Sequence, residues 1–113
     1  MPRFERTFKL WDYYITRSQL LMRSHKTVAH PTNIDIIFGD VEYVELPTNL
    51  RGLAIVAPQP AEVWRAEQVM NGPVPGERIF VIETKGRRYM VVASVMTISE
   101  NELMLHESSL HKL

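Results

Sequence analysis

Asn33-Ile34-Asp35-Ile36-Ile37-Phe38-Gly39-Asp40-Val41-Glu42-Tyr43-Val44-Glu45-Leu46-Pro47 is the stretch whose reading decides the fold. β-Branched and aromatic residues dominate it, with polar residues interleaved, which is the composition of strands with one wet and one dry face. Gly39-Asp40 in its middle permits two geometries. As a two-residue turn with Gly first, it closes a tight hairpin in which residues 34–38 and 41–46 pair with each other. As a bulge, it bends one long strand whose two parts pair elsewhere.

Upstream, Phe4, Phe8 and Leu10 fall on alternate positions, and the apolar phase then shifts by one to Trp11, Tyr13 and Ile15. A phase shift inside a strand pattern predicts a bulge or bend near residues 10–12. Thr16-Arg17-Ser18-Gln19 turns the chain, and Leu20-Leu21-Met22-Arg23-Ser24 returns as a second strand. A helix over residues 11–23 competes with this hairpin, but the aromatic and β-branched cluster before it favours strand. Residues 25–32 read as loop, with Pro31 holding His30 extended.

Downstream of the opening stretch, Pro47 to Gly52 carries turn residues and residues 53–56 form a short apolar strand. Pro58 and Pro60 break regular structure. Residues 61–70 are the best helix candidate, with Pro60 at the entry, Glu62 in the first turn and Asn71-Gly72 as the stop. Val63, Ala66 and Met70 share one face, with Trp64 beside them. Arg78–Thr84 and Arg87–Ile98, joined by Lys85-Gly86, read as the clearest hairpin. Residues 99–102 then turn, 103–106 add a last short strand, and 108–113 are tail. The expected fold class is mainly β: an antiparallel β-sandwich or partly open β-barrel with one short helix at about 61–70, in a single domain over residues 1–113.

The chain has 113 residues, no cysteine and zero formal net charge. That length buries a core without staples, and the missing thiols exclude disulfides and cysteine-based zinc sites. Neutrality weighs against unspecific nucleic-acid binding, which draws its affinity from phosphate neutralisation. The N-terminal residues are charged and form no apolar signal region, and no apolar run is long enough to span a bilayer, so a cytoplasmic, membrane-free protein is expected. Residues 1–26 hold six basic side chains (Arg3, Arg6, Lys9, Arg17, Arg23, Lys26) against two acidic ones (Glu5, Asp12). Residues 27–50 hold Asp35, Asp40, Glu42 and Glu45 and no Lys or Arg. Neighbouring strands with complementary wet faces, or solvated faces that merely differ, both fit this pattern.

Leu20-Leu21-Met22-Arg23-Ser24, Thr32-Asn33-Ile34-Asp35-Ile36 and Val41-Glu42-Tyr43 resemble, over residues 20–47, a family of small bacterial proteins with the pattern LLxRS, NIDIxF, VxYxxLP. The resemblance implies a bacterial, cytoplasmic setting. It implies no activity and transfers no catalytic residue.

No nucleophile motif and no glycine-rich phosphate loop is present, so no catalytic residue is assigned and no cofactor or metal is called. His25 and His30, with Asp35, would have to converge to hold a metal, and exposed loop histidines are far commoner; His106 and His111 lie near the tail. Asp35 sits inside an otherwise apolar run, so a buried Asp35 needs a partner; Arg23 is the candidate, as a structural pair. Trp11, Tyr13, Tyr14, Arg17 and Arg23 form the candidate binding patch, because an exposed aromatic beside arginine makes an interface anchor. The expected function is therefore non-catalytic protein–protein interaction or self-association. A small-molecule-binding β-barrel is the alternative, and RNA binding through the basic turn 85–89 a further one.

Overall fold

The computed structural model describes residues 2–110. It is mainly β: eight strands, β1 (Arg3–Tyr14), β2 (Gln19–Ser24), β3 (Asn33–Gly39), β4 (Tyr43–Glu45), β5 (Asn49–Val56), β6 (Ile79–Thr84), β7 (Arg87–Val92) and β8 (Val95–Asn101), with one helix, α1 (Pro60–Met70), between β5 and β6. All pairings are antiparallel within one sheet, ordered β4-β7-β6-β5-β1-β2-β3-β8. The edges β4 and β8 are not paired with each other. The sheet nevertheless curls. Phe38 of β3 and Phe80 of β6, four places apart in the strand order, meet edge-to-face at 5.6 Å between ring centroids. Phe8, Leu20, Met22, Ile36, Leu50, Ile55, Ile82 and Val91 join Phe38 in the same core, so one continuous, partly open sheet faces itself across its apolar side.

Two connections explain the curl. Gly39-Asp40 is not a hairpin turn: β3 and β4 do not pair, and the chain bends through Asp40, at φ 54°, to carry β4 to the opposite edge against β7. The glycine serves another purpose, because a Cβ on Gly39 would lie 2.8 Å from Val95 Cγ1 in β8. The second connection corrects the long strand expected over residues 87–98. β7 ends at Val92, and Ala93-Ser94 carries the chain across to β8, where it pairs with β3. Both runs are apolar and β-branched, so sequence periodicity does not reveal that the pairing partner changes midway.

Three further expectations change. The turn read at residues 47–52 ends early, because Asn49–Gly52 already belong to β5, where Gly52 at φ 75° sits opposite an irregularity in β1 between Phe4 and Thr7. Residues 99–101 continue β8, and residues 103–106 form no strand. Residues 108–110 are no loose tail: Leu110 is buried and Ser109 donates to Asp35. His111 lies outside the described residues.

Local signals elsewhere act as read. The β1–β2 register slips between Leu10 and Asp12, making Trp11 the extra residue of a bulge. Lys85 and Gly86 both take positive φ in the β6–β7 turn. In α1, Pro60 occupies the first turn and Gln59 and Glu62 form a reciprocal capping box. Asn71 closes the helix in the left-handed region. Ala66, with Val63 and Met70, packs on Val81, Met90 and Val92, forming a second core on the other side of β6 and β7, while Trp64 is exposed. Arg88 of β7 fastens the helix, donating to both carboxylate oxygens of Glu62 at 2.9 Å and to Glu83 at 3.1 Å. Those bonds from Arg88 hold the Glu62 pKa low against its burial and raise that of Arg88. No helix among the described residues is long and apolar enough to cross a membrane.

Candidate functional site

The outer face of β1 and β2 carries a groove of about 540 Å³ lined by Glu5, Arg6, Thr7, Lys9, Trp11, Arg23, Ser24, His25, Thr27, His30 and Leu105. The bulge makes its floor. Lys9 and Arg23 are register partners, and the extra residue puts Trp11 beside them on the outer face. The indole stacks on His25, with centroids 5.6 Å apart and planes 13° from parallel. Arg23 Cζ lies 5.4 Å from the indole centroid, a cation–π arrangement.

Arg23 and Asp35 are register partners on β2 and β3, and both side chains are wholly buried. Arg23 Nε donates to Asp35 Oδ1 at 2.7 Å and Nη2 to Oδ2 at 3.0 Å, while Nη1 donates to the Glu107 carbonyl at 2.7 Å. Asn101 Nδ2 and Ser109 Oγ each donate to Asp35 Oδ2 at 2.7 Å. Asn33 extends the network, donating to Asn101 Oδ1 at 2.8 Å and the Leu103 carbonyl at 2.9 Å. Residues 102–110 are thereby strapped across the outer face of β2 and β3, and the strap puts Leu105 into the groove wall. Burial pushes the Asp35 carboxyl up, but hydrogen bonds from Arg23, Ser109 and Asn101 and the guanidinium charge outweigh it. The carboxyl is held below its ordinary value of 3.8.

The five residues of the sequence-derived patch therefore separate. Trp11 lines the groove. Arg23 lies beneath it, fully engaged, and acts by holding Trp11 and the strap. Tyr13, Tyr14 and Arg17 sit toward the β1–β2 turn, where Tyr13 and Arg17 are exposed and Tyr14 is half-buried. The sequence reading missed Arg6, Lys9 and Leu105 as groove residues. The strand alternation of Thr7, Lys9 and the bulged Trp11 was the available signal for Lys9; Leu105 had none, because the strap folds back from far along the chain.

The charge of the groove differs from its surroundings. Arg6 is fixed by Ser24 Oγ at 3.0 Å and the Thr32 carbonyl at 2.6 Å, not by a carboxylate. The ion pairs among the described residues engage Arg23, Arg65, Arg78 and Arg88, but neither Arg6 nor Lys9. Of the two readings open for residues 1–26 and 27–50, complementary wet faces or solvated faces that merely differ, the first has one ion pair among the described residues, Arg23–Asp35, and that pair is buried. Asp40 and Glu42 turn instead to Arg78, and Glu45 to Arg65. His25 Nδ1 is buried without a hydrogen-bond partner among the described residues.

His25 and His30 both line the groove, but Asp35 is spent on Arg23, and no group of three or more His, Asp or Glu among the described residues is placed to hold a metal ion. The basic turn 85–89 is also divided. Arg88 is drawn to Glu62 and Glu83, whereas Lys85, Arg87 and Tyr89 line a separate cavity of about 390 Å³ with Arg51 of β5. No family model matches this chain, no curated protein matches it, and no solved structure matches it.

Proposed function

We propose that the chain is a non-catalytic interaction domain whose Trp11 groove receives an acidic segment of a protein partner. The observation that carries this reading is an indole floor flanked by Arg6 and Lys9, which no ion pair among the described residues engages, with Leu105 as an apolar wall and Glu5 as the one carboxylate of the lining. A flat aromatic anchor gives contact area at little entropic cost, and the cations select charge and speed encounter. The floor is held from below: Arg23 is locked to Asp35, and Trp11 packs against both Arg23 and His25. A peptide with an apolar side chain next to Asp or Glu has the complementary chemistry.

A displayed library of random peptides, selected on the whole chain, tests this. Enriched sequences should pair acidic with apolar residues, and binding should fall at least tenfold in Trp11→Ala and in Lys9→Glu, both folded by circular dichroism. Peptides that bind both variants as well as the parent, or a selection that enriches nothing acidic, would overturn the reading.

The size of the groove favours a second reading, a small anionic molecule with a flat apolar part, since sites of roughly 300–1,000 Å³ suit such ligands. The interior of the curled sheet is filled by Phe8, Met22, Ile36, Phe38 and Leu50, so this ligand would meet the outer groove rather than the space between the layers. Trp64→Phe leaves Trp11 as the sole tryptophan, and quenching of its emission by small aromatic acids, absent with acidic peptides, would select this reading over the first.

A further inference from the structure

We infer that β8 is a self-association edge, at which two copies of this chain pair antiparallel about a two-fold axis through Ile98. β8 is the last strand of the sheet and, among the described residues, pairs only with β3. Five of its seven residues, Val95 and residues 97–100, are exposed. Such an edge presents a row of backbone donors and acceptors, and proteins usually blunt it with lysine, proline, a bulge, an inward-pointing charge or brevity. β8 has one of these, Glu100 opposite Ile34 near its C-terminal end, and lacks the others. Its sequence, Val95-Met96-Thr97-Ile98-Ser99-Glu100-Asn101, carries no Lys or Pro, and its register with β3 runs unbroken over all seven residues.

The occupant is argued from the strand itself. To keep the apolar face of one sheet continuous with that of the other, residues of like parity must pair, which centres the axis on a residue. Only a centre at Ile98 uses all seven residues. It places Ile98 opposite Ile98, Thr97 opposite Ser99, Met96 opposite Glu100 and Val95 opposite Asn101. The one charged side chain of β8, Glu100, then faces a methionine and never its own copy, so no like charges oppose. Head-to-tail growth is disfavoured by the other edge, because β4 is only three residues long and is followed by Pro47. Pairing β8 with β8 uses the long edge of both copies and closes as a dimer. This inference is independent of the Trp11 groove, which lies on the β1–β2 face.

Sedimentation equilibrium of the whole chain, from micromolar to near-millimolar concentration, tests it. The parent should pass from monomer to dimer and go no further. Thr97→Lys/Ser99→Lys sets lysine against lysine twice across the axis and should weaken the dimer about tenfold. Thr97→Lys/Ser99→Glu sets lysine against glutamate twice and should keep or tighten it. Both positions are exposed, and circular dichroism checks that the fold survives. A parent that stays monomeric throughout, or two double variants that associate equally, would refute the inference.

Discussion

Arg23 and Asp35 face each other across β2 and β3 as a forked ion pair with no solvent exposure on either side chain, and the same carboxylate oxygen that accepts from Arg23 also accepts from Asn101 and Ser109. One pair therefore joins four pieces of chain: β2, β3, β8 and the strap. Two buried charges cost several kcal/mol each to desolvate, so the pair is tolerable only because its hydrogen bonds are met.

Removing one partner should be severe. Asp35→Ala leaves a buried guanidinium unpaired and should lower unfolding free energy by about 3–5 kcal/mol in urea titration. Arg23→Met/Asp35→Leu replaces both charges by apolar side chains and should cost much less than either single removal. A double variant as unstable as Asp35→Ala would show that the strap, not charge burial, dominates.

Acid should release the strap. The Asp35 pKa is lower in the folded chain than its ordinary 3.8, so the folded state holds the proton less tightly than the unfolded chain does. The stability this contributes is complete above that ordinary value and drains away as pH falls through it toward the folded value. Hydrogen exchange of the amides of residues 103–110 should quicken over that range in the parent. In Arg23→Met/Asp35→Leu their rate should follow only the intrinsic pH dependence.

Gly39 should not tolerate a side chain. A Cβ there meets Val95 Cγ1 at 2.8 Å, and overpacking of this kind costs about 1–3 kcal/mol. Gly39→Ala should lower the melting temperature, and Val95→Ala in the same chain should recover most of the loss by removing the obstructing methyl. Equal destabilisation with or without Val95→Ala would place the difficulty in the backbone instead.

The helix is fastened by one carboxylate with two duties. Glu62 accepts the Gln59 amide proton at 2.8 Å and both Arg88 bonds. Glu62→Ala should cost about 1–3 kcal/mol, since it removes a cap and a half-buried charge-assisted pair together. Arg88→Ala spares the cap but removes the pair together with the bonds to Glu83 and the Ala57 carbonyl, and should cost a comparable amount. A double-mutant cycle by urea unfolding checks both costs.

Period-two alternation, the phase slip at Trp11, the turn residues Lys85-Gly86 and the punctuation of α1 by Pro60 and Asn71-Gly72 were legible in the sequence, because each depends on residues a few positions apart. So was the need of Asp35 for a partner, since an acid within an apolar run makes that demand locally. What the linear chain left open is which strand neighbours which: Gly39-Asp40 was equally compatible with reversal and continuation, and residues 87–98 concealed a change of pairing partner at Ala93-Ser94. Strand order follows from contacts between segments tens of residues apart, and alternation is the same whichever partner a strand meets. For that reason only the tertiary structure returned residues 102–110 over Arg23, put Leu105 beside Trp11 and left β8 as an open edge.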